Sequence, residues 1–286
     1  MKAHTFSVVV GTSACNANCP YCVSKMTQTS ACSGCHFDER KFNIACRVAD
    51  QARDGLITVL LTGKGEPLLW PNEITRYLDC LNFRFPLVEL QTNGILLKSS
   101  DKKGLLKRWL NNGLTLVCIS VAHSDPVISN ALMGIREEYN FWKDVERLKA
   151  RGLGVRLNCT MLKSGVRRRD QTESFIKLCA ISGVDQLTFR EVDMPDDSRN
   201  QDVADWVKKE KPTGAAERLR RYLASIGATQ LLDLSHGATV YDVDGQNVCV
   251  SNCLTSTTDP DNIRQIIYFP DGRIAYDWKY PGARLL

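Results

Sequence analysis

Strand-like and helix-like segments alternate along residues 6–192, and no other feature of the chain constrains its fold as tightly. The short β-branched run FSVVVG (6–11) comes first. A helical stretch follows, with Phe42, Ala45, Ala49 and Ala52 at helical spacing and Gly55 as its stop. ITVLLTG (57–63) is a continuous apolar run, the pattern of a strand buried on both faces. A helix around 72–82 leads to the strand LVELQTNG (87–94), and the amphipathic KKGLLKRWLNNG (102–113) leads to LTLVCISVA (114–122). Helix 138–152 then precedes VRLNCTML (155–162), and helix 171–183 precedes DQLTFREV (185–192). Six such units make a parallel sheet with helical crossovers, too few to close the eight-stranded barrel. The expected fold is therefore α/β, a partial (β/α)6 TIM-type barrel over residues 1–195.

After VDMPDDSRN the alternation stops. Two helical stretches (199–210 and 214–226) precede short strands around 238–250 and 264–277, the last built on the tight turn Pro270-Asp271-Gly272. Residues 196–286 are expected to form a small α+β C-terminal extension packed on the barrel.

In such sheets ligands sit at the C-terminal ends of the strands. CNANCPYC (15–22) stands there, just after the first strand, with Cys15, Cys19 and Cys22 spaced Cys-x3-Cys-x2-Cys. A structural zinc site takes four ligands, and an iron–sulfur cubane normally takes four thiolates. Three thiolates leave one corner of a cluster open to a small molecule. The start, MKAHTFSVVVGTSAC, lacks the pattern of a signal peptide, and the chain has no run of about 18 apolar residues that would span a membrane. The expected location is the cytoplasm, where twelve cysteines stay reduced and a cysteine cluster points to metal or chemistry before disulfides. Cys46, Cys80, Cys118, Cys159 and Cys179 lie singly among apolar residues and read as core. Cys32 and Cys35, with Cys249 and Cys253, form two further pairs: either a second metal site, zinc or an auxiliary cluster, or incidental thiols in a surface loop.

The other strand ends are polar or glycine-rich. The second gives Gly63, Gly65, Glu66 and Pro67, where glycines let backbone approach a ligand and a carboxylate can receive an ammonium group. The third ends at Thr92-Asn93-Gly94, also a common turn; the fourth carries Ser120 and the fifth Asn158, each open to a purely structural reading. The net charge of +5 tilts toward an anionic substrate. The run Arg167 to Arg169 either faces phosphate or begins a solvated helix.

Taken together, these features resemble the radical SAM superfamily, whose Cys-x3-Cys-x-aromatic-Cys signature is met here with Tyr21 at the aromatic position. The resemblance implies a [4Fe–4S] cluster on Cys15, Cys19 and Cys22, with S-adenosylmethionine chelating the fourth iron. It implies reductive cleavage of that cofactor to a 5′-deoxyadenosyl radical that abstracts hydrogen, with electrons from a donor such as flavodoxin or ferredoxin. By resemblance, Gly63, Gly65 and Glu66 meet the methionine amino group, although Lys64 interrupts the usual Gly-Gly-Glu-Pro. Thr92 is similar to the third-strand threonine near the cofactor, Ser120 and Asn158 to ribose-binding residues, and Arg136 to an arginine that reaches the methionine carboxylate. The expected substrate is a small anionic, nucleotide-like molecule, with RNA or peptide modification as the alternative. The rival that is not an enzyme is a zinc-binding module, which would need Cys35 or His36 as its fourth ligand. Further candidates for substrate contact are Lys64, His123, Arg190, Glu191, Arg264 and Arg273. Arg190 and Glu191 are neighbours on one strand, so only one of them points inward.

Overall fold

The computed structural model describes residues 2–27, 37–195, 198–234, 237–252, 262–278, 280 and 282–286. Six strands form in the order expected: β1 (Lys2–Val9), β2 (Arg53–Thr62), β3 (Leu87–Thr92), β4 (Leu116–Val121), β5 (Gly154–Met161) and β6 (Gln186–Glu191). Each pairs with the next in parallel. Between them run α1 (Val23–Met26), α2 (Glu39–Ala52), α3 (Pro71–Leu81), α4 (Leu97–Lys102), α5 (Leu105–Asn111), α6 (Pro126–Met133), α7 (Phe141–Ala150) and α8 (Arg169–Ile181). The helix expected over 102–113 is α5; a further short helix, α4, precedes it, and Gly104, in the left-handed conformation (φ 73°), separates the two as the N-cap of α5.

The segment that follows supplies α9 (Gln201–Glu210), α10 (Ala215–Ser225), β7 (Thr229–Asp233), β8 (Thr239–Val243), β9 (Gln246–Ser251), β10 (Asn262–Tyr268) and β11 (Ile274–Ala275). Its strands join the same sheet, in the order β11-β10-β1-β2-β3-β4-β5-β6-β9-β8-β7. β10 pairs in parallel with β1 and β9 in parallel with β6, so each end of the six-strand array gains one more parallel strand. Beyond these, β11 and β8 pair antiparallel with their neighbours, and the sheet stays open.

The two faces of the sheet differ in chemistry. Against the helices lies an apolar core that includes Phe6, Phe42, Tyr77, Leu90, Val117, Leu157 and Phe189. On the concave face the alternate positions are polar: Glu89 and Gln91 on β3, Cys118 and Ser120 on β4, Arg156 and Asn158 on β5, Thr188 and Arg190 on β6. β5 shows the alternation most plainly, since Val155, Leu157 and Cys159 are buried while Arg156, Asn158 and Thr160 are half-buried. Low in this concavity Arg156 Nη1 pairs with the buried Glu89 carboxylate at 2.9 Å. Gln91 Nε2 donates to the other oxygen of Glu89 at 2.8 Å. Among the described residues, no helix is long and apolar enough to cross a membrane.

Candidate active site

The cysteine loop leaves β1 through Gly11, whose N–H donates to Glu73 Oε2 at 2.9 Å. It then lies against the loop after β2, where Glu66 N–H donates to the Ala14 carbonyl at 2.9 Å. Gly65 makes this approach possible: a Cβ there would stand 2.0 Å from the Ala14 carbonyl oxygen. At the other end of the loop Lys25 Nζ donates to Asn18 Oδ1 at 2.6 Å and to the Cys19 carbonyl at 3.0 Å.

Cys15, Cys19 and Cys22 are all free thiols, the first exposed and the other two half-buried. Burial raises the pKa of Cys15, helped by the charges of Glu66 and Cys22. Burial, with Cys22 and Cys15 nearby, pushes Cys19 up to about 12. Thiols so placed ionise readily only beside positive charge, which a metal centre provides. Among the described residues no three His, Cys, Asp or Glu side chains converge on a point that would hold one ion.

Glu66 is almost fully buried, and its carboxylate is occupied by protein donors. Leu68 N–H (2.9 Å) and the Thr92 hydroxyl (2.6 Å) donate to Oε1, and Asn93 N–H (2.8 Å) donates to Oε2. Burial raises its pKa, and the bonds from Asn93, Thr92 and Leu68 pull it back. Thr92 Oγ1 in turn accepts from Gly94 N–H at 2.9 Å.

A cavity of about 570 Å³ unites the cysteine loop, the loop after β2 and the concave face of the sheet. Cys15, Cys19, Cys22, Gly63, Gly65, Glu66, Thr92, Ser120 and Asn158 all line it. Ser120 and Asn158 are cross-strand partners on β4 and β5. Asn158 lines the cavity, and its Oδ1 is buried with no hydrogen-bond partner among the described residues. Lys25, Lys64, Arg190 and Arg199 also line the cavity, and Glu66 is the one carboxylate among its described lining residues.

Other expected residues fall elsewhere. Tyr21 packs on Trp206, with ring centroids 5.8 Å apart. Arg136 is exposed in the loop after α6 and is not among the cavity's lining residues. Of the neighbours on β6, Arg190 faces the cavity, while Glu191 Oε1 accepts from Ala216 N–H at 2.8 Å on the helical side. His123 Nδ1 accepts from Asp125 N–H at 2.9 Å. Arg273 pairs with Asp271 at 2.6 Å, and the Arg264 carbonyl accepts from the Thr5 hydroxyl at 3.3 Å. Cys32, Cys35, His36 and Cys253 lie outside the described residues, and Cys249 is buried on β9 opposite Thr188.

One residue that the sequence presented only as part of a turn is central here. Asn93 Oδ1 makes the turn bond, accepting from Ile95 N–H at 3.1 Å. Its Nδ2 donates to Asn16 Oδ1 at 2.8 Å and to Cys15 Sγ at 3.7 Å. The signal for it was its place at a strand end, which turn chemistry alone also explains.

Residues 9–176, more than half of the chain, match the Radical SAM superfamily. Comparison with curated proteins gives no match. Among solved structures, the fold is similar to that of Streptococcus suis SuiB bound to S-adenosylmethionine (TM-score 0.64, 14% identity, 98% of this chain and 61% of SuiB covered). The chain thus spans less than two thirds of SuiB's length. It is also similar to anSMEcpe with bound AdoMet (TM-score 0.57, 18% identity, 100% and 74% covered) and to methylornithine synthase, PylB (TM-score 0.55, 10% identity, 91% and 74% covered). The protein belongs to the radical SAM superfamily, enzymes that use a [4Fe–4S] cluster and S-adenosylmethionine. Three free thiols on one cavity, the Ser120 and Asn158 side chains that line it with them and the close approach at Gly65 fit that pair of cofactors.

Proposed function

We propose that Cys15, Cys19 and Cys22 hold the cluster, that S-adenosylmethionine binds beside it, and that the substrate is a small anionic, nucleotide-like molecule. When bound, the cluster and S-adenosylmethionine supply reductive cleavage of the sulfonium bond and a 5′-deoxyadenosyl radical for hydrogen abstraction, with electrons from a one-electron donor such as flavodoxin or ferredoxin. Glu66 orients the loop of Gly63 and Gly65, since its carboxylate already answers three donors of the chain; the loop's backbone is left to meet the methionine end. Ser120 and Asn158 offer a hydroxyl and an amide to the ribose.

The observation that supports the substrate class is the charge of the cavity. Lys25, Lys64, Arg190 and Arg199 line it, against one carboxylate among the described lining residues, which is already hydrogen-bonded. Burial holds the Lys64 ammonium below its ordinary 10.5, and its Nζ lies 5.3 Å from the centre of the Trp278 ring. A partly desolvated cation of this kind gains most from an anionic ligand.

The test is isotope transfer. Loaded enzyme with dithionite and S-adenosylmethionine is given uniformly deuterated ribonucleotides one at a time, and the mass of 5′-deoxyadenosine is read. One nucleotide is expected to transfer deuterium, and Arg190→Ala to raise its KM by about tenfold. Transfer from a peptide or RNA alone would overturn the nucleotide assignment.

A further inference from the structure

A second cavity, of about 410 Å³, lies on the helical side of the sheet between α8 and α10. Its floor includes Val166, Phe189 and Leu219, all buried. Its rim carries Arg167, Arg169, Arg218 and Arg221. The first two come from the basic run Arg167 to Arg169 at the start of α8, and none of that run lines the first cavity.

All four arginines are exposed at the rim, and few carboxylates neutralise them. Glu217 pairs with Arg221 at 3.8 Å, Asp170 pairs with Arg168 outside the cavity, and Glu173 accepts from the Tyr222 hydroxyl. Among the described residues, no carboxylate pairs with Arg167, Arg169 or Arg218. Arg218 donates to the Thr213 carbonyl. The Arg169 guanidinium lies over the Tyr222 ring, 5.4 Å from its centre, a contact that positions the group and leaves its charge intact. The positive end of α8, thirteen residues long, adds to the same field.

We propose that this cavity is a binding site for a phosphate monoester carried on a small apolar body, separate from the S-adenosylmethionine cavity. The volume falls within the range of small-molecule sites, and an apolar floor with a few polar groups at its edge is their usual composition. The guanidinium fork matches phosphate oxygens in pairs. Three unneutralised arginines suit a dianion with three acceptor oxygens better than a single carboxylate.

The probe is phenyl phosphate, titrated calorimetrically into the full chain at about 0.15 M salt, where weak surface attraction is screened. Benzoate and a short single-stranded RNA serve as parallel arms. Saturable binding of phenyl phosphate is expected. Arg167→Ala with Arg169→Ala should weaken it at least about tenfold, Arg169→Lys should weaken it by losing the fork, and Lys64→Ala with Arg190→Ala should leave it unchanged. Unaltered circular dichroism of each variant separates lost binding from lost fold. Equal binding by wild type and the double variant would overturn the proposal, as would benzoate binding as tightly as phenyl phosphate. RNA bound through these arginines while phenyl phosphate is not would assign the groove to nucleic acid instead.

Discussion

The Thr92 hydroxyl donates to Glu66 Oε1 at 2.6 Å, tying the loop after β2 to the end of β3 beneath the cysteine loop. Glu66→Ala would strand that hydroxyl and the amides of Leu68 and Asn93 in a buried place. Each buried donor left without a partner costs about 1–3 kcal/mol. Urea unfolding should therefore show a loss of at least about 2 kcal/mol, and S-adenosylmethionine binding should weaken in parallel. Unchanged stability would mean that water replaces the carboxylate.

Gly65→Ala tests the close approach of the two loops. The added methyl would meet backbone, the Ala14 carbonyl oxygen at 2.0 Å, so no side-chain rotation relieves it. Overpacking of this kind costs about 1–3 kcal/mol and should displace the cysteine loop. The iron retained per chain after reconstitution should fall well below wild type. Full iron loading in the variant would contradict the packing described.

Asn93 donates its side-chain N–H to Sγ of Cys15, a proposed cluster ligand, and hydrogen bonds to cluster sulfurs raise reduction potential. Asn93→Leu should shift the potential to more negative values in an EPR-monitored redox titration, with the iron content preserved. A potential that does not move would make Asn93 a turn residue alone.

His123 carries a pH dependence of stability. Burial lowers its pKa from 6.5, with Asp125 partly opposing, and the ring accepts a bond from Asp125 N–H that only its neutral form can take. The unfolded chain therefore binds its proton first as the pH falls through 6.5. Stability contributed by this group is present above that pH and is lost below it, until the folded ring also protonates. Denaturant midpoints measured between pH 5 and pH 8, roughly the range in which histidine titrates, should decline less toward acid in His123→Gln than in wild type. Parallel curves would rule this source out.

The pair of Arg156 and Glu89 is the polar floor of the concavity. Removing one partner of a buried pair costs about 3–5 kcal/mol. The arginine side chain keeps 31% exposure, which places Arg156→Met near the lower end, about 3 kcal/mol, with part of the loss recovered in Arg156→Met with Glu89→Gln. Denaturant unfolding of the single and double variants reads both values, and additive losses would contradict the pairing.

The barrel strands were legible because their signal is local: ITVLLTG and LTLVCISVA are apolar runs bounded by glycine and polar residues. The pairing of β10 with β1 was not, since its partners, such as Phe6 and Ile266, lie far apart in sequence and nothing local specifies a register. Gly104 was equally hidden, because one glycine inside a helical pattern does not announce a left-handed break. Cys15, Cys19 and Cys22 were readable from spacing alone, and the structure brings them to one cavity with Gly65, Thr92, Ser120 and Asn158. Strand alternation required that Arg190 and Glu191 point to opposite sides, and only the fold decided that Arg190 faces in. Asn93 was obscured because its turn bond and its bond to sulfur use opposite ends of one amide.

The most direct measurement is anaerobic reconstitution with iron and sulfide, followed by an iron count and assay of 5′-deoxyadenosine after dithionite and S-adenosylmethionine are added. Cys15→Ala, Cys19→Ala and Cys22→Ala are run alongside. About four irons per wild-type chain, with 5′-deoxyadenosine formed by wild type and absent from all three variants, is the predicted result. Bound zinc in place of iron, or a fully loaded wild type that leaves S-adenosylmethionine intact, would contradict it.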